Sequence, residues 1–359
     1  MNEFYIGDRK IGGDAPCFII AELSANHGGD INIAKETIRA AKKTGADAIK
    51  LQTFTPDTIT LDSKRKEFLI DHGTIWDGQY LYDLYKETTL PWEWHAELFA
   101  VAKEEGLVCF SSPFDFTAVD LLEELGAPAY KIASPEIIDI PLIEKCARTG
   151  KPIIISTGIA TLADINLATQ ACRKAGNNQI ILLQCTTAYP ARLDQANLKT
   201  IANLVETFDA IGGLSDHTLG IVAPTVAVAL GAKVIEKHFI LDKAIGGADA
   251  SFSLDPEEFT QMVNSVRDAE QAIGTVKYKV ESKISGLSQL ASRSLFVVED
   301  VKAGEIFTEK NVRSIRPGNG MHPKFYADVL GKKATGDIER GTPLTFNLVS
   351  DFDAVNSYR

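Results

Sequence analysis

The sequence lacks a hydrophobic run long enough to cross a membrane, and its first residues have neither the basic start nor the apolar core of a signal peptide. We therefore expect a cytoplasmic protein. Cysteine is scarce, because the 359 residues contain five scattered cysteines, an odd number. Cys17, Cys109 and Cys185 fall in apolar runs. This pattern argues against a disulfide framework and predicts buried free thiols in a reducing compartment.

An excess of positive charge is missing too. The chain has 37 Lys and Arg against 48 Asp and Glu, a formal net charge of −11. That balance argues against nucleic acid as a partner, although it still allows a locally positive pocket for a small anion. No Gly-x-Gly-x-x-Gly follows the first predicted strand, which weakens a dinucleotide-binding interpretation.

What the sequence does contain is a regular alternation of apolar runs and amphipathic segments over residues 1–274. Helix starts are marked by Asp30, by Thr161 with Asp164, and by Asp255-Pro256. Continuous apolar runs are typical of parallel strands covered on both faces. We predict eight, at 17–21, 46–51, 108–111, 129–132, 152–155, 179–183, 210–214 and 233–236. Eight strand–helix units in succession favour an α/β fold, a closed (β/α)8 TIM barrel, over an open sheet.

A long connection, residues 54–91, follows the second predicted strand and carries Trp76, Tyr80, Tyr82 and Tyr85. A loop of this length in a compact domain is usually functional or has its own structure. Two interpretations stay open: a surface excursion whose rings pack on the barrel, or a wall of a substrate pocket.

A different pattern begins after Gly274. Residues 275–289 are predicted to be a linker, and residues 290–359 a small β-rich domain of short strand-like runs and turns. The segment 300–308 matches 337–345 in the form D-[VI]-x-x-G-x-x-[FL]-T, which predicts two similar turn-plus-strand units. A domain of this size has a thin core, so we expect it to dock on a neighbour.

Two tripeptides stand at the ends of the last two apolar runs: SDH at 215–217 and EKH at 236–238. A strand–helix–strand unit crosses over right-handed, so the two strands lie parallel and adjacent, and His217 and His238 leave the same edge of the sheet. Two imidazoles with open positions for water and substrate suit Mn²⁺ or a similar divalent ion better than a closed zinc site. The alternative is a pair of ordinary polar histidines at strand ends.

Active sites of TIM barrels form at the carboxyl ends of the strands, and every predicted strand delivers polar side chains there. Lys50 and Lys131 are among them, and a buried ammonium ringed by hydroxyl groups favours a phosphate or carboxylate ligand. An internal salt bridge with a barrel acid is the alternative. A metal beside a bound phosphorylated acid suggests that the metal polarises a carbonyl for attack by carbon. The candidates are Glu22, Lys50, Gln52, Ser112, Lys131, Ser134, Glu136, Ser156, Thr187, Tyr189, Ser215, His217, His238 and Asp249.

Eight motifs taken in order resemble the sialic acid synthase family over essentially the whole chain. They are IIAELSANHGGD, AIKLQTF, SSPFD, YKIASPE, ISTG, QCTTAYP, GLSDHTLG and IEKHF. The tail, with RSIRPGNG and the repeat, resembles the antifreeze-like (SAF) domain of that family. Each motif alone is weak, but the ordered set is highly specific.

The resemblance implies a metal-dependent transferase that condenses phosphoenolpyruvate with an open-chain amino-sugar aldehyde and water, giving a nine-carbon 2-keto acid and phosphate. Residues 73–95 are most similar to the branch of the family whose acceptor is 2,4-diacetamido-2,4,6-trideoxy-L-altrose. The N-acetylneuraminate and legionaminate branches, which differ in the acceptor, stay open as alternatives. So does a non-catalytic sugar-binding protein, although every rim acid and histidine expected of the enzymes is present.

Residue roles follow from the same resemblance. His217 and His238 would hold Mn²⁺, Mg²⁺ or Co²⁺, and Glu136 would position or deprotonate the attacking water. Phosphoenolpyruvate would be bound by Lys50, Ser112, Lys131, Ser134, Ser156 and Ser215. The sugar would be bound by Gln52, Tyr189, Asp249 and Glu22, of which Glu22 is also a catalytic candidate. Arg316 would reach the sugar's acyl group from the partner's tail in a domain-swapped homodimer. Thr187 stands where neuraminate enzymes carry asparagine, which leaves its place in the phosphoenolpyruvate site open.

Overall fold

The computed structural model describes residues 2–71, 73–278 and 282–352, without the side chains of residues 282–285. The chain divides into two compact units, Met1–Gly274 and Thr275–Arg359. Residues 279–281 of the predicted linker and 353–359 of the predicted tail domain lie outside the described residues. No helix in the described ranges has both the length and the hydrophobicity that a membrane crossing requires.

The first unit is a closed barrel of eight parallel strands, which confirms the predicted fold. An antiparallel hairpin, β1 (Glu3–Ile6) and β2 (Arg9–Gly12), precedes it. The barrel strands are β3 (Phe18–Glu22), β4 (Ala48–Thr53), β5 (Val108–Pro113), β6 (Tyr130–Ile132), β7 (Ile153–Ser156), β8 (Ile180–Cys185), β9 (Ile211–Asp216) and β10 (Val234–His238). Because β10 pairs with β3, with His238 beside Glu22, the barrel has no open edge.

Helices follow the strands around the outside of the barrel. They are α1 (Ile31–Lys43), α2 (Pro56–Ile59), α3 (Leu81–Thr88), α4 (His95–Glu104), α5 (Phe116–Glu124), α6 (Ile140–Arg148), α7 (Leu162–Lys174), α8 (Thr200–Phe208), α9 (Val222–Ala229) and α10 (Pro256–Ile273). The predicted starts are confirmed: Asp30 caps α1, and Thr161 and Asp255 open α7 and α10 with reciprocal capping boxes. All five cysteines, each within the described ranges, are buried free thiols.

The barrel interior is apolar toward the amino ends of its strands. Side chains alternate between the two faces of a strand, so every second residue points inward. Ile20, Ala48, Phe110 and Ile154 are inward residues of this kind, and they share one buried cluster with Ile6 of the hairpin. This cluster fills one end of the barrel and leaves the other end for polar side chains.

All the barrel strands except β6 extend further toward their carboxyl ends than the apolar runs predict. β4 ends at Thr53 instead of residue 51, and β10 ends at His238 instead of residue 236. The interior changes from apolar to polar before the ladder of backbone hydrogen bonds stops, so hydrophobicity alone ends a strand too early. Gln52 and His238, predicted to follow their strands, therefore lie within them on a rigid framework.

The connection at residues 54–91 contains α2 and α3 and is closed at its base by hydrogen bonds to one carbonyl. Thr89 Oγ1 and Trp92 Nε1 both donate to Phe54 O, at 2.8 and 3.1 Å. The Phe54 ring also makes edge contacts with Tyr85 and Phe114, with centroids 5.6 and 5.3 Å away. The connection is thus packed against the barrel, in agreement with the interpretation of a surface excursion whose rings pack there.

The second unit contains α11 (Ser282–Ala291), β11 (Ser294–Val297), β12 (Val312–Ile315) and α12 (Tyr326–Val329), so that a helix overlaps the predicted linker. Its two repeats pair reciprocally. Asp300 Oδ1 accepts from Arg340 N at 2.8 Å, and Asp337 Oδ1 accepts from Ala303 N at 2.9 Å. The predicted pseudo-symmetry is therefore built on one aspartate from each repeat capping the turn of the other.

Candidate active site

Polar side chains replace apolar ones at the carboxyl-terminal end of the barrel interior. The alternation that places Ala48 and Ile154 inside also directs Lys50 and Ser156 inward, two residues later. The same spacing brings inward Glu22, Ser112, Lys131, Cys185, Ser215, Glu236 and His238. Most of these groups line an inner cavity of about 60 Å³.

Two lysines and two glutamates form a buried cluster in this cavity. Lys50 Nζ lies 2.6 Å from Glu22 Oε2 and 3.8 Å from Glu236 Oε2, and Lys131 Nζ lies 3.4 Å from Glu236 Oε1. Ser215 Oγ donates to Glu236 Oε1 at 2.9 Å. The salt bridge with a barrel acid, left open by the sequence, is therefore present at both lysines.

The negative charge of the cluster does not fully offset the cost of burying one of the two ammonium groups, that of Lys131. Burial lowers the pKa of Lys50, but the carboxylates of Glu22 and Glu236 raise it by more, so this pKa lies above its usual range. Burial also works against the charge on Glu236, but Lys131 and Lys50 hold its pKa below its usual range. At Lys131 burial prevails over the attraction of Glu236, and the pKa is lowered. An anion bound beside Lys131 would supply the missing negative charge.

Glu236 is a residue of the inner cavity that the sequence analysis does not predict. The apolar run 233–236 ends with it, yet it is buried and links both lysines to Ser215. The signal was the two-residue spacing from Glu236 to His238, which places both side chains on the interior face of β10.

Hydroxyl groups complete the inner cavity. Ser134 Oγ accepts from Ile159 N at 2.9 Å and from Thr187 Oγ1 at 3.2 Å. Ser112 Oγ lies 3.3 Å from Lys50 Nζ. Ser156 Oγ is buried and has no hydrogen-bond partner among the described residues, so it is available to a ligand oxygen. Thr187 thus lies in the same group of hydroxyls as Ser134.

Gly158 keeps this group of hydroxyls open, and we expect Gly158→Ala to close it. A Cβ at Gly158 would lie 2.2 Å from Thr187 Oγ1, 2.8 Å from Ser134 Oγ and 3.2 Å from Cys185 Sγ. The expected result is a KM for the anionic substrate raised at least about tenfold, the cost of roughly one lost hydrogen bond or an equivalent displacement. Steady-state kinetics measure it. Gly336→Ala, where a Cβ meets nothing within 4 Å, is the matched control, and an unchanged KM in Gly158→Ala would contradict the assignment.

Two histidines line the same cavity, with ring centroids 5.4 Å apart. His217 Nδ1 lies 2.9 Å from Thr186 O, and because a carbonyl oxygen only accepts, Nδ1 carries the proton and Nε2 keeps its lone pair. Burial lowers the pKa of both histidines, that of His238 well below its usual range. Both rings are therefore neutral, which is the form that binds a metal ion.

The two rings fit a divalent cation with open positions. A metal–nitrogen bond is about 2.1 Å long, so two rings that share one ion have centroids roughly 5 to 6 Å apart. His238 Nδ1 is buried without a hydrogen-bond partner among the described residues and lies 3.6 Å from Asp249 Oδ2. Within the described part of the chain, no three His, Cys, Asp or Glu side chains are grouped as metal ligands. The protein would thus supply two imidazoles and leave the other positions to water and substrate.

A larger cavity of about 410 Å³ adjoins the inner one and shares Gln52, Pro135, Tyr189 and His238 with it. One side is apolar and comes largely from residues 54–91. It consists of Phe54, Leu69, Ile70, Trp76, Leu81, Leu84 and Tyr85. The polar residues of the lining are Ser24, Gln52, Glu67, Thr88, Thr187, His238 and Asp249. The connection is therefore both packed on the barrel and a wall of the cavity.

Glu136 lies in the short turn after β6, next to Pro135, which lines both cavities. Its Oε2 is buried and has no hydrogen-bond partner among the described residues. Burial raises the pKa of Glu136 to about 7, while a hydrogen bond from its own backbone and the Lys131 ammonium oppose the rise. A carboxyl group that titrates near neutral pH suits general acid–base work.

Fourteen of the fifteen predicted site residues lie at one end of the barrel, and the fifteenth, Arg316, belongs to the second unit. The fourteen are Glu22, Lys50, Gln52, Ser112, Lys131, Ser134, Glu136, Ser156, Thr187, Tyr189, Ser215, His217, His238 and Asp249. The side chain of Arg316 is exposed.

Comparison with known protein families adds to this geometry. The model of the NeuB family matches residues 37–278, which is more than half of the chain, and the model of the SAF domain matches residues 292–350.

Individual relatives cover nearly the whole chain. Pseudaminic acid synthase from Helicobacter pylori is 48% identical over 330 residues, 92% of this chain and 97% of the relative. N,N'-diacetyllegionaminic acid synthase from Legionella pneumophila is 37% identical over 348 residues, 94% of this chain and 97% of the relative. The crystal structure of N-acetylneuraminic acid synthetase from Leptospira borgpetersenii in complex with citrate superposes with a TM-score of 0.71 at 32% identity, covering 80% of this chain and 95% of that one.

Proposed function

The chain belongs to the NeuB family, and from that premise we propose that it is a pseudaminic acid synthase. The enzyme joins phosphoenolpyruvate to 2,4-diacetamido-2,4,6-trideoxy-L-altrose, consumes water and releases phosphate. Identity of 48% to the H. pylori enzyme against 37% to the legionaminate enzyme supports the acceptor. The observation that carries the proposal is the inner cavity of lysines and hydroxyls, which meets a larger cavity at Tyr189 and His238.

In this reaction C3 of phosphoenolpyruvate bonds to the aldehyde carbon, and the aldehyde oxygen takes up a proton. Water then adds to C2, and the C2–O bond to phosphate breaks as the 2-keto group forms. Lys50 and Lys131 bind the anionic groups of phosphoenolpyruvate, and the Ser156 hydroxyl donates a hydrogen bond to an oxygen of one of these groups. Glu136 takes a proton from the water that adds to C2. When bound, a divalent metal at His217 and His238 supplies Lewis-acid polarisation of the acceptor carbonyl.

The outer cavity suits an acceptor with both apolar and polar substituents. Leu69, Ile70 and Trp76 offer apolar contact to a C6 methyl group and to acetamido methyl groups. Gln52 and Asp249, which also line this cavity, suit hydroxyl and N–H donors.

Phosphate release with phosphoenolpyruvate, Mn²⁺ and a panel of acceptors tests the function. We expect kcat/KM for the trideoxy-altrose acceptor to exceed that for N-acetylmannosamine by about a hundredfold, since apolar pockets discriminate by this order. A preference for N-acetylmannosamine or for the legionaminate precursor would assign the chain to another branch. A chain that releases no phosphate with any of these acceptors would be a sugar-binding protein.

We propose further that the enzyme acts in the cytoplasm as a homodimer that exchanges its SAF domains. Buried free thiols are consistent with a reducing compartment. Large apolar side chains are exposed after successive barrel strands, where a partner would cover them. They are Phe116, Ile138, Leu162, Leu193 and Leu219, each between 48% and 64% exposed.

Arg316→Ala is expected to leave the protein folded and to raise the acceptor KM, because a guanidinium that binds the acyl group of the sugar is lost. Mixing this variant with Glu136→Gln tests whether Arg316 acts on the active site of its own chain or on that of the partner in a dimer. If Arg316 acts on the partner's site, random dimers of the two variants regain about a quarter of the wild-type sites. No recovery after subunit exchange, or unchanged kinetics of Arg316→Ala alone, would reject the role.

A further inference from the structure

Ser24 borders the outer cavity in a backbone conformation that its side chain makes costly. Its φ is +46°, in the left-handed region where a Cβ crowds the following carbonyl oxygen. The other non-glycine residues with positive φ in the described chain are Asn197, Asp209 and Asp351. Asparagine and aspartate visit this region more readily than other residues, so Ser24 is the exception. A glycine would satisfy the backbone at this position, and therefore the serine hydroxyl needs its own explanation.

The hydroxyl of Ser24 fixes the amide of Gln52. Gln52 Nε2 donates to Glu22 Oε1 and to Ser24 Oγ, both at 2.9 Å. Glu22 lies against the Lys50 ammonium and accepts, so the amide must turn its NH2 group toward it. With both N–H groups engaged, Gln52 Oε1 faces the other way. Because Gln52 lines both cavities, this oxygen is presented to the ligand.

Asp249, another polar residue that lines the outer cavity, is contacted by the residue that follows Ser24. The backbone N–H of Ala25 approaches Asp249 Oδ2 at 3.4 Å. The turn at Ser24 thus places the Ser24 hydroxyl against Gln52 and the Ala25 N–H near Asp249.

We propose that Ser24 is a positioning residue for the acceptor sugar: its hydroxyl orients the Gln52 amide toward the N–H and O–H donors of that sugar. The inference rests on the proposed function, because the acceptor is the sugar of that reaction. Phosphoenolpyruvate binding does not depend on Ser24, since Ser24 lines the outer cavity and not the inner one. The serine is retained at a strained position because of its hydroxyl.

Two variants test the role, Ser24→Gly and Ser24→Ala. Both are expected to raise the KM for the acceptor about tenfold, as roughly one net hydrogen bond is lost, with the KM for phosphoenolpyruvate within about twofold of wild type. Ser24→Gly removes the strained Cβ, so its unfolding midpoint should equal or exceed that of wild type, whereas Ser24→Ala keeps the strain. Steady-state kinetics in both substrates and thermal unfolding give the readouts.

Asp209→Gly is the matched control. Asp209 also has φ +46°, at the C-terminus of α8, and it lines neither cavity. This variant should relieve the same backbone strain and leave both KM values unchanged. Equal rises in both KM values with a lowered midpoint would make Ser24 merely structural and overturn the inference. If the wild type turns over the acceptor and both Ser24 variants have the wild-type KM values, the result contradicts this inference alone. A wild type that turns over no acceptor contradicts the proposed function as well.

Discussion

His217→Ala and His238→Ala are each expected to abolish Mn²⁺ binding and to lower turnover at least about a thousandfold, since metal polarisation is worth several kcal/mol and each 1.36 kcal/mol is a factor of ten. The reason is the donor set. His217 donates its Nδ1–H to Thr186 O, so its Nε2 is unprotonated and has a lone pair for a metal ion. His238 is also neutral, and the centroid of its ring lies 5.4 Å from that of His217. Titration calorimetry with Mn²⁺ in the absence of substrates measures binding, and phosphate release measures turnover.

His322→Ala is the control for these variants. His322 is an exposed histidine of the second unit, so its loss should leave metal binding and turnover as in wild type. Circular dichroism should show the same barrel content in all three variants. Full activity of the wild type in a strong chelator, or wild-type Mn²⁺ affinity in either barrel variant, would refute the metal assignment.

Glu136→Gln is expected to lower kcat by about a hundredfold to ten thousandfold, the usual contribution of a positioned acid or base. The amide keeps the size of the side chain but cannot take a proton from water. Burial raises the pKa of Glu136 to about 7, and the ionised form is the base. Activity of the wild type should therefore rise with pH through about 7 and fall as the carboxyl group becomes protonated below it.

The pH profile separates this role from a structural one. In Glu136→Gln the limb near pH 7 should weaken, because one titrating group is gone. Any limb that remains belongs to Glu22, whose pKa burial also raises to about 7. Glu124→Gln makes the same change at an exposed position at the end of α5 and should retain both the rate and the profile. A variant at position 136 with near-normal kcat, or one whose limb is unchanged from wild type, would remove Glu136 from the mechanism.

The position of the two histidines could be predicted because it depends on local order. Each follows an apolar run, the runs are joined by a short helix, and parallel neighbours end at the same edge. The register of β9 and β10 pairs Asp216 with Lys237, and His217 and His238 are the residues that follow them. Glu236 escaped prediction because apolar composition set the end of its strand, whereas its role depends on two lysines from other strands.

The thin domain at the end of the chain gives a similar contrast. The repeat in its sequence predicted two related units, but the exchange of caps between Asp300 and Asp337 is a matter of three-dimensional pairing. For the connection at residues 54–91, the sequence allows either packing on the barrel or a wall of the pocket and does not decide between them. The Tyr85 ring packs on Phe54, and both rings also line the outer cavity, so the two interpretations hold together.

The sequence by itself determined the barrel, the order of its strands and most of the polar side chains at their carboxyl ends, because hydrophobic periodicity and helix caps act over a few residues. The tertiary structure alone decided which lysine shares which glutamate, how Gln52 is turned and why Ser24 is held in a left-handed conformation. These features depend on distances between side chains that are tens to hundreds of residues apart in the chain. Closure of the barrel sets those distances, and no local pattern encodes them.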